Sequence, residues 1–400
     1  MKIKSCRACN QSDLIEILDL GDQHLSDFRA DKSLPPTFPL TLLLCRNCTL
    51  VQLSETVDRE NMYHDGYGYR SGVNELIRAN LKMLVDTGLE YITKPQRWLD
   101  IACNDGTLLS MVPGDIFRAG IDPVKKFKVE SERHADLIID DYFPSKELSN
   151  DLKFDVITSI SMFYDLDDPN QFVSTIRDHL APNGIWIVQQ NYLVSMLRNL
   201  SFDNVCHEHI EYYSLTAMKH LVDRHHLEII HVFEDDINGG SIITVISHCG
   251  ARIENQTVNQ FLEAEKGFGV SKPEAYTEFE GKVSEISKEL YNLVSTLKKQ
   301  NKSISIYGAS TRGAVIWQRA GLNSDLIDFA VERQEEKFGK YFSAILVPII
   351  SESEMRKNPP DYLLVGPWFL RDSFIAREQD FLQNGGKMII PLPRIEIIES

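Results

Sequence analysis

The spacing of apolar positions changes along the chain, and the changes mark three regions. Apolar runs at 40–44 and 50–53 flank a turn, which predicts a hairpin; just before them Leu34-Pro35-Pro36 and Phe38-Pro39-Leu40 predict irregular chain. Over 74–87 the residues Leu76, Ile77, Leu81, Leu84 and Val85 carry helical spacing. Short apolar runs then alternate with helical stretches, which predicts strands at 98–102, 117–121, 136–139, 154–159 and 184–190. That alternation implies a parallel, doubly wound sheet with its ligand at the carboxyl ends of the strands. Residues 261–299 carry a long helical period with dense charge, as a connector would. Further strands are predicted at 303–307, 327–331, 362–365 and 387–390. The fold class is therefore α/β, with domains expected at 1–65, 66–255 and 256–400.

Composition narrows the function. With 43% apolar and 25% charged residues, 400 residues bury several cores and exclude a disordered or collagenous chain. The net charge of −16 argues against nucleic acid and against an anionic membrane surface as partners. No apolar run reaches membrane-spanning length and MKIKSCRACN does not read as a secretion signal, so a cytoplasmic enzyme is expected.

Four of the seven cysteines form two knuckles, Cys6-Arg7-Ala8-Cys9 and Cys45-Arg46-Asn47-Cys48. Each C-x2-C places two thiolates on a tight turn, two corners of a tetrahedral zinc site at a Zn–S distance of roughly 2.3 Å. No fifth ligand is suggested, so the expected zinc is structural and closed. A module this small needs such a staple.

The first central strand ends in Asp100-Ile101-Ala102-Cys103-Asn104-Asp105-Gly106, where a dinucleotide fold would want G-x-G-x-x-G. A carboxylate at the strand end suits the cationic aminopropyl arm of a sulfonium cofactor and repels a diphosphate. Asp122, before Pro123, closes the next strand and offers an acceptor for ribose hydroxyls. Asp140, Asp141, Tyr142 and Phe143 follow the third strand, placed for adenine. With Ala102, Asn104, Gly106, Thr107 and Leu108 in the first turn, and Ser161 and Met162 after the fourth strand, these residues form the expected S-adenosylmethionine site.

Two segments carry candidate substrate chemistry. Asp203-Asn204-Val205-Cys206-His207-Glu208-His209-Ile210-Glu211-Tyr212-Tyr213 crowds imidazoles, carboxylates and phenols together, as tuned acid–base work requires; the plainer alternative is a pair of histidines satisfied in a core. Residues 63–72, with Tyr67 and Tyr69, are aromatic and loosened by glycine, as a lid over a sugar would be. In the last third, Tyr307 leads into Gly308-Ala309-Ser310-Thr311-Arg312-Gly313, a turn suited to a diphosphate at a helix N-terminus or simply a tight strand–helix connection. Lys340 is taken with Ser310, Thr311 and Arg312 as a substrate contact.

The two knuckles, residues 67–72, the 100–109 loop, the 206–213 segment, Ser305-Ile306-Tyr307-Gly308-Ala309 and Gly385-Gly386-Lys387 together resemble the sugar C-methyltransferases that act on nucleotide-activated 4-ketohexoses. The resemblance covers nearly the whole chain. It implies a class I methyltransferase domain flanked by a zinc-binding domain and a Rossmann-like domain for the nucleotide sugar. It also implies that His209 is the general base, with Glu208 a supporting acid and His207 or a tyrosine such as Tyr67 or Tyr69 donating to an enolate oxygen. Tyr69, Asp165, Tyr212 and Tyr213 would contact the sugar. The family often has Tyr at Cys206 and His at Asp165, which points to a different sugar or a different loop role. O- or N-methylation of a nucleotide sugar, or nucleotide binding without methyl transfer, are the alternatives. A monomer or weak homo-oligomer is expected.

Overall fold

The computed structural model describes residues 2–58, 72 and 75–400. The chain opens with strands β1 (Leu14–His24), β2 (Phe28–Arg29), β3 (Thr37–Cys45) and β4 (Val51–Leu53). In β3, Leu40, Leu42 and Leu44 are buried while Thr41 and Leu43 are only partly covered, the alternation of a strand with one face on a core. β3 pairs antiparallel with β1 and with β4, Leu44 lying opposite Val51 and Leu42 opposite Leu53. The turn between β3 and β4 carries the second knuckle, in the hairpin that the apolar pattern predicts.

The central region runs α1 (Glu75–Tyr91), β5 (Arg97–Ile101), α2 (Thr107–Met111), β6 (Phe117–Ile121), α3 (Lys128–Ser131), β7 (Leu137–Ile139), β8 (Phe154–Ile160), α4 (Pro169–His179) and β9 (Leu180–Asn191). It continues through α5 (Leu193–Arg198), β10 (Glu211–Tyr212), α6 (Leu215–Asp223), β11 (Leu227–Asp235) and β12 (Ser241–His248). Seven of these strands form one sheet in the order β7-β6-β5-β8-β9-β12-β11. Counted within the sheet this is 3-2-1-4-5-7-6, with β12 antiparallel to both neighbours and the other pairings parallel. An all-parallel dinucleotide fold runs 3-2-1-4-5-6. The order found is that of a class I methyltransferase sheet. Both faces are covered, so Trp98, Leu99 and Ile101 are all buried and β5 shows no alternation. The helices that cover it start where the sequence allows: Asp168 caps α4 by accepting from Gln171 N–H, with Pro169 in the first turn, and Ser214 caps α6.

The stretch expected as one connector is two helices, α7 (Gln256–Phe268) and α8 (Pro273–Lys299). Gly269 at φ 87° ends the first and Pro273 opens the second. One face of α8 (Tyr276, Phe279, Val283, Ile286, Leu290, Val294, Leu297) is buried in the core that also holds Leu18 and Leu20 of β1. Beyond it come β13 (Ile304–Tyr307), α9 (Thr311–Arg319), β14 (Ala330–Glu332), β15 (Tyr341–Phe342), β16 (Val347–Ser351), α10 (Glu352–Lys357), β17 (Tyr362–Val365), α11 (Arg371–Arg377), α12 (Gln379–Gln383), β18 (Lys387–Ile390) and β19 (Glu396–Ile398). β16, β14, β13, β17 and β18 lie side by side and parallel, the Rossmann-like sheet of the last third.

Two very short strands stitch the three sheets together. β2, from the start of the chain, pairs with β15 and extends the C-terminal sheet. β10 pairs with β4, so the H-E-H segment runs directly into the sheet of the zinc module. Among the described residues no helix is long and apolar enough to cross a membrane.

Candidate active site

The two knuckles meet. Cys6, Cys9, Cys45 and Cys48 are all buried, and their sulfur atoms lie within 4.8 Å of one another, with Cys6–Cys48 and Cys9–Cys45 at 3.5 Å. A tetrahedral centre with Zn–S bonds of roughly 2.3 Å sets its sulfurs roughly 3.8 Å apart, so the four thiols fit a zinc ion. No His, Asp or Glu joins the cluster among the described residues, which makes the site closed. Arg7 lies inside the first knuckle but turns to the protein: Nη1 donates to the Leu53 carbonyl and Nη2 to Thr56 Oγ1.

At the carboxyl edge of the central sheet three acids line up on neighbouring strands. Asp100, at the end of β5, is buried and accepts from Thr158 Oγ1 at 2.6 Å. Burial lifts its carboxyl to about 7; the Thr158 hydrogen bond works the other way, and the nearby Asp122 charge adds to the rise. Asp122, beyond β6, accepts Asn104 N–H through Oδ2 and Val124 N–H through Oδ1, both at 2.8 Å. It too is raised, again mainly by burial. Beyond β7, Asp140 Oδ1 is buried and has no hydrogen-bond partner among the described residues, an acceptor left available to a ligand. Ala102 and Asn104 stand where a glycine-rich motif would have Gly, and both keep a glycine's left-handed backbone, at φ 59° and 49°. Ser161, at the end of β8, does the same at φ 54°. The edge thus offers carboxylates to a cation and to hydroxyls, and its residues fit S-adenosylmethionine.

The other expected cofactor residues divide by direction. Asp105 ties the loop together, taking Thr107 Oγ1 on one oxygen and Gly72 N–H on the other. Leu108 is buried in the core formed with α1. Pro123 is half-buried beside Asp122, and Met162 packs on the core of the opposite face. Asp141 accepts from Tyr142 N–H and from Ser145 Oγ, Tyr142 is exposed, and the Phe143 ring packs edge-on against Phe172, toward the core.

His209 sits against the loop that follows β8. Its ring meets Tyr164 edge to face, with centroids 4.4 Å apart, and the next residue anchors the backbone through Ile210 N–H to the Tyr164 carbonyl. Nδ1 lies 3.0 Å from the Asn204 carbonyl. A carbonyl only accepts, so Nδ1 carries the proton and the lone pair is on Nε2. Burial, with the Arg312 charge second, pushes the imidazole down to about 3. Glu208 is raised by burial and takes a hydrogen bond from Cys206.

Other residues of this segment have internal partners. His207 is buried, and its Nε2 donates to the Phe38 carbonyl of β3 at 3.1 Å; burial lowers it to about 4. The Tyr212 hydroxyl donates to the His209 carbonyl at 2.7 Å, and that of Tyr213 to Glu211 at 2.8 Å. These groups hold the segment's shape. Asp165 lies in the turn after β8, its N–H on the Met162 carbonyl. Tyr67 and Tyr69 lie outside the described residues.

The glycine turn of the last third opens α9. Ser310 Oγ caps Gly313 N–H, and the Thr311 carbonyl accepts from Ser26. Tyr307 is buried with its hydroxyl between Glu352 and Glu378. Arg312, expected to reach a diphosphate, instead pairs with Asp203 and donates to the Asn238 carbonyl. Lys337, three residues before Lys340, is the lysine that reaches the turn, through the Ala309 carbonyl at 2.9 Å. No spacing rule marks it; Gly339, at φ 72°, turns the chain between the two lysines. Thr158, a mid-strand hydroxyl, and the backbone carbonyl of Asn204 were equally silent, whereas Asp140 stands in the 140–143 segment read for adenine.

Three family models match the chain in order: "Putative zinc binding domain" over 6–63, "Methyltransferase domain" over 69–232 and "C-methyltransferase C-terminal domain" over 236–393. The chain is 26% identical to the C-methyltransferase NovU of Streptomyces niveus over 417 aligned positions, covering all of this chain and 97% of the relative. Solved structures with likeness include an S-adenosylmethionine-dependent methyltransferase from Clostridium acetobutylicum (16% identity, 44% of this chain and 96% of that one, TM-score 0.36). Another is the N-methyltransferase NodS from Bradyrhizobium japonicum (14% identity, 44% and 98%, TM-score 0.35). The chain is an S-adenosylmethionine-dependent methyltransferase. It has the three-module layout of the C-methyltransferases, with S-adenosylmethionine as methyl donor and a structural zinc on its four cysteines.

Proposed function

We propose that this enzyme methylates a carbon next to the ketone of a nucleoside-diphosphate 4-keto-deoxyhexose, most simply C3. The observation that carries this reading is His209, whose proton is held on Nδ1 by the Asn204 carbonyl, leaving Nε2 to act as a base. Carbon is a poor nucleophile until it loses a proton, and a neighbouring ketone acidifies that C–H. His209 Nε2 takes the proton, and the enolate carbon then attacks. When bound, S-adenosylmethionine supplies the electrophilic methyl group on its sulfonium. Asp100, Asp122 and Asp140 hold the cofactor's amino group, ribose and adenine, so that both reactants are oriented before they meet.

A base held down at about 3 is neutral throughout the physiological range but weak. The NovU likeness supports C-methylation, and the C-terminal strand–turn–helix supports a nucleotide handle. The test is a panel of dTDP-, GDP-, CDP- and UDP-4-keto-6-deoxyhexoses with methyl-labelled S-adenosylmethionine. One substrate is expected to gain a methyl that survives acid hydrolysis and appears by NMR on carbon. A label on oxygen or nitrogen overturns the reading.

A further inference from the structure

The carbonyl that fixes His209 belongs to a turn that the C-terminal module holds from the other side. Residues 202–204 form a single helical turn; Asn204 gives its carbonyl to His209 Nδ1, and the preceding Asp203 is fully buried. A buried carboxylate needs partners, and those of Asp203 come from far along the chain. Arg312 Nε reaches Oδ2 at 2.8 Å and Nη2 reaches it at 2.7 Å, while Trp368 Nε1 donates to the same oxygen at 3.2 Å. The rest of the guanidinium is fixed as well: Nη1 donates to the carbonyl of Asn238 at 2.6 Å, and the Phe369 ring lies 4.6 Å beneath it. Asn238 itself adopts a left-handed backbone, at φ 57°, in the turn between β11 and β12.

We propose that Asp203 and Arg312 are a positioning pair for the base: Arg312, on the first turn of α9, fixes the 202–204 turn and so keeps the Asn204 carbonyl on His209 Nδ1. The inference rests on the reading of His209 as the base. Neither residue of the pair touches the reacting carbon. The pair gives the nucleotide-facing module a mechanical hold on the base, since the turn that opens α9 also bears Ser310 and Thr311.

Charge supports the geometry. Among the described residues, the groups that interact with His209 are Tyr164 from the loop after β8, Asn204 and Tyr212 from its own segment, and the Arg312 charge from α9. Arg312 is the one cation among them, and it favours the neutral imidazole. Arg312→Met removes both the fork and the charge, Arg312→Lys removes the fork and keeps the charge, and Asp203→Asn keeps the shape of the acid.

The experiment follows exchange of the substrate C–H in deuterium oxide, without methyl donor, for the 4-keto nucleotide sugar that the parent enzyme turns over. Rates are counted per site titrated calorimetrically with S-adenosylhomocysteine, so that unfolded protein does not enter. Arg312→Met is expected to slow exchange and methyl transfer together by at least about tenfold, with KM for S-adenosylmethionine unchanged. It should also move the acid limb of the kcat profile to higher pH. Arg312→Lys should return that limb to its parent position while recovering only part of the rate. Exchange at the parent rate in Arg312→Met, or an acid limb that does not move, overturns the positioning pair. If His209→Asn exchanges at the parent rate, the base reading itself fails, whatever the Arg312 variants do.

Discussion

Thr158 Oγ1 donates to Asp100 Oδ1 at 2.6 Å, across the pairing of β8 with β5, and it is the single hydrogen bond to this buried carboxyl among the described residues. One neutral donor does not offset the loss of water, so Asp100 holds its proton to about 7. A cation is the ligand that reverses this balance.

The pH dependence follows with a definite sign. An unfolded aspartate releases its proton near roughly 3.9, whereas folded Asp100 keeps it to about 7. The stability associated with the bound proton is complete below the unfolded value and is lost as pH rises through the folded one. The ligand-free protein is therefore expected to lose thermal stability between about pH 4 and 7, while affinity for S-adenosylhomocysteine, whose amino group is cationic, rises over the upper part of that range. Calorimetry from pH 6 to 8 measures the second effect. Asp100→Asn should weaken binding and flatten its pH dependence; an unchanged slope would remove Asp100 from the cofactor site.

The left-handed residues of the cofactor loop make opposite predictions about glycine. Ala102 at φ 59° bears a strain of roughly 1–2 kcal/mol, and replacing it by glycine costs roughly 0.4–1 kcal/mol in unfolded-state entropy. Ala102→Gly should therefore stabilise the fold slightly, by about 0.5–1 kcal/mol. Gly106 at φ 76° has no room for a side chain, because a Cβ there would sit 2.8 Å from Ser131 Cα. Gly106→Ala should cost about 1–3 kcal/mol. Urea unfolding of both variants checks the pair of signs.

Zinc should control the base from a distance. Leu53 N–H donates to the Ile210 carbonyl, and Ile210 N–H to the Tyr164 carbonyl, so one residue beside His209 bridges the zinc module's sheet and the loop after β8. Tyr212 pairs with Val51 in the same sheet. Removing zinc with a chelator, or by Cys45→Ser, should lower the Tm and increase amide exchange across 207–213. Protection unchanged in the metal-free protein would show that the segment stands without the staple.

Much of this arrangement was legible in the sequence where it depends on local pattern. The strands of the central sheet stand out because burial on both faces leaves continuous apolar runs such as Ile185-Trp186-Ile187-Val188. The two knuckles stand out because thiolate geometry dictates their spacing. β2 and β10 were not legible, since two residues carry no period and their partners are distant in sequence. Arg312 was visible as a cation on a glycine turn, but nothing in the turn shows that its partner is Asp203, 109 positions earlier. The acceptor for His209 is a main-chain carbonyl, which any residue type would have supplied.

The central claim is that the imidazole of His209 removes a proton from substrate carbon. Deuterium uptake next to the ketone, measured by NMR in deuterium oxide with S-adenosylhomocysteine bound, reads that step without methyl transfer. His209→Asn is expected to lower the uptake by about 10²–10⁴-fold while binding S-adenosylhomocysteine as the parent does. Uptake within about tenfold of the parent, in a variant that binds the cofactor product normally, would contradict the account.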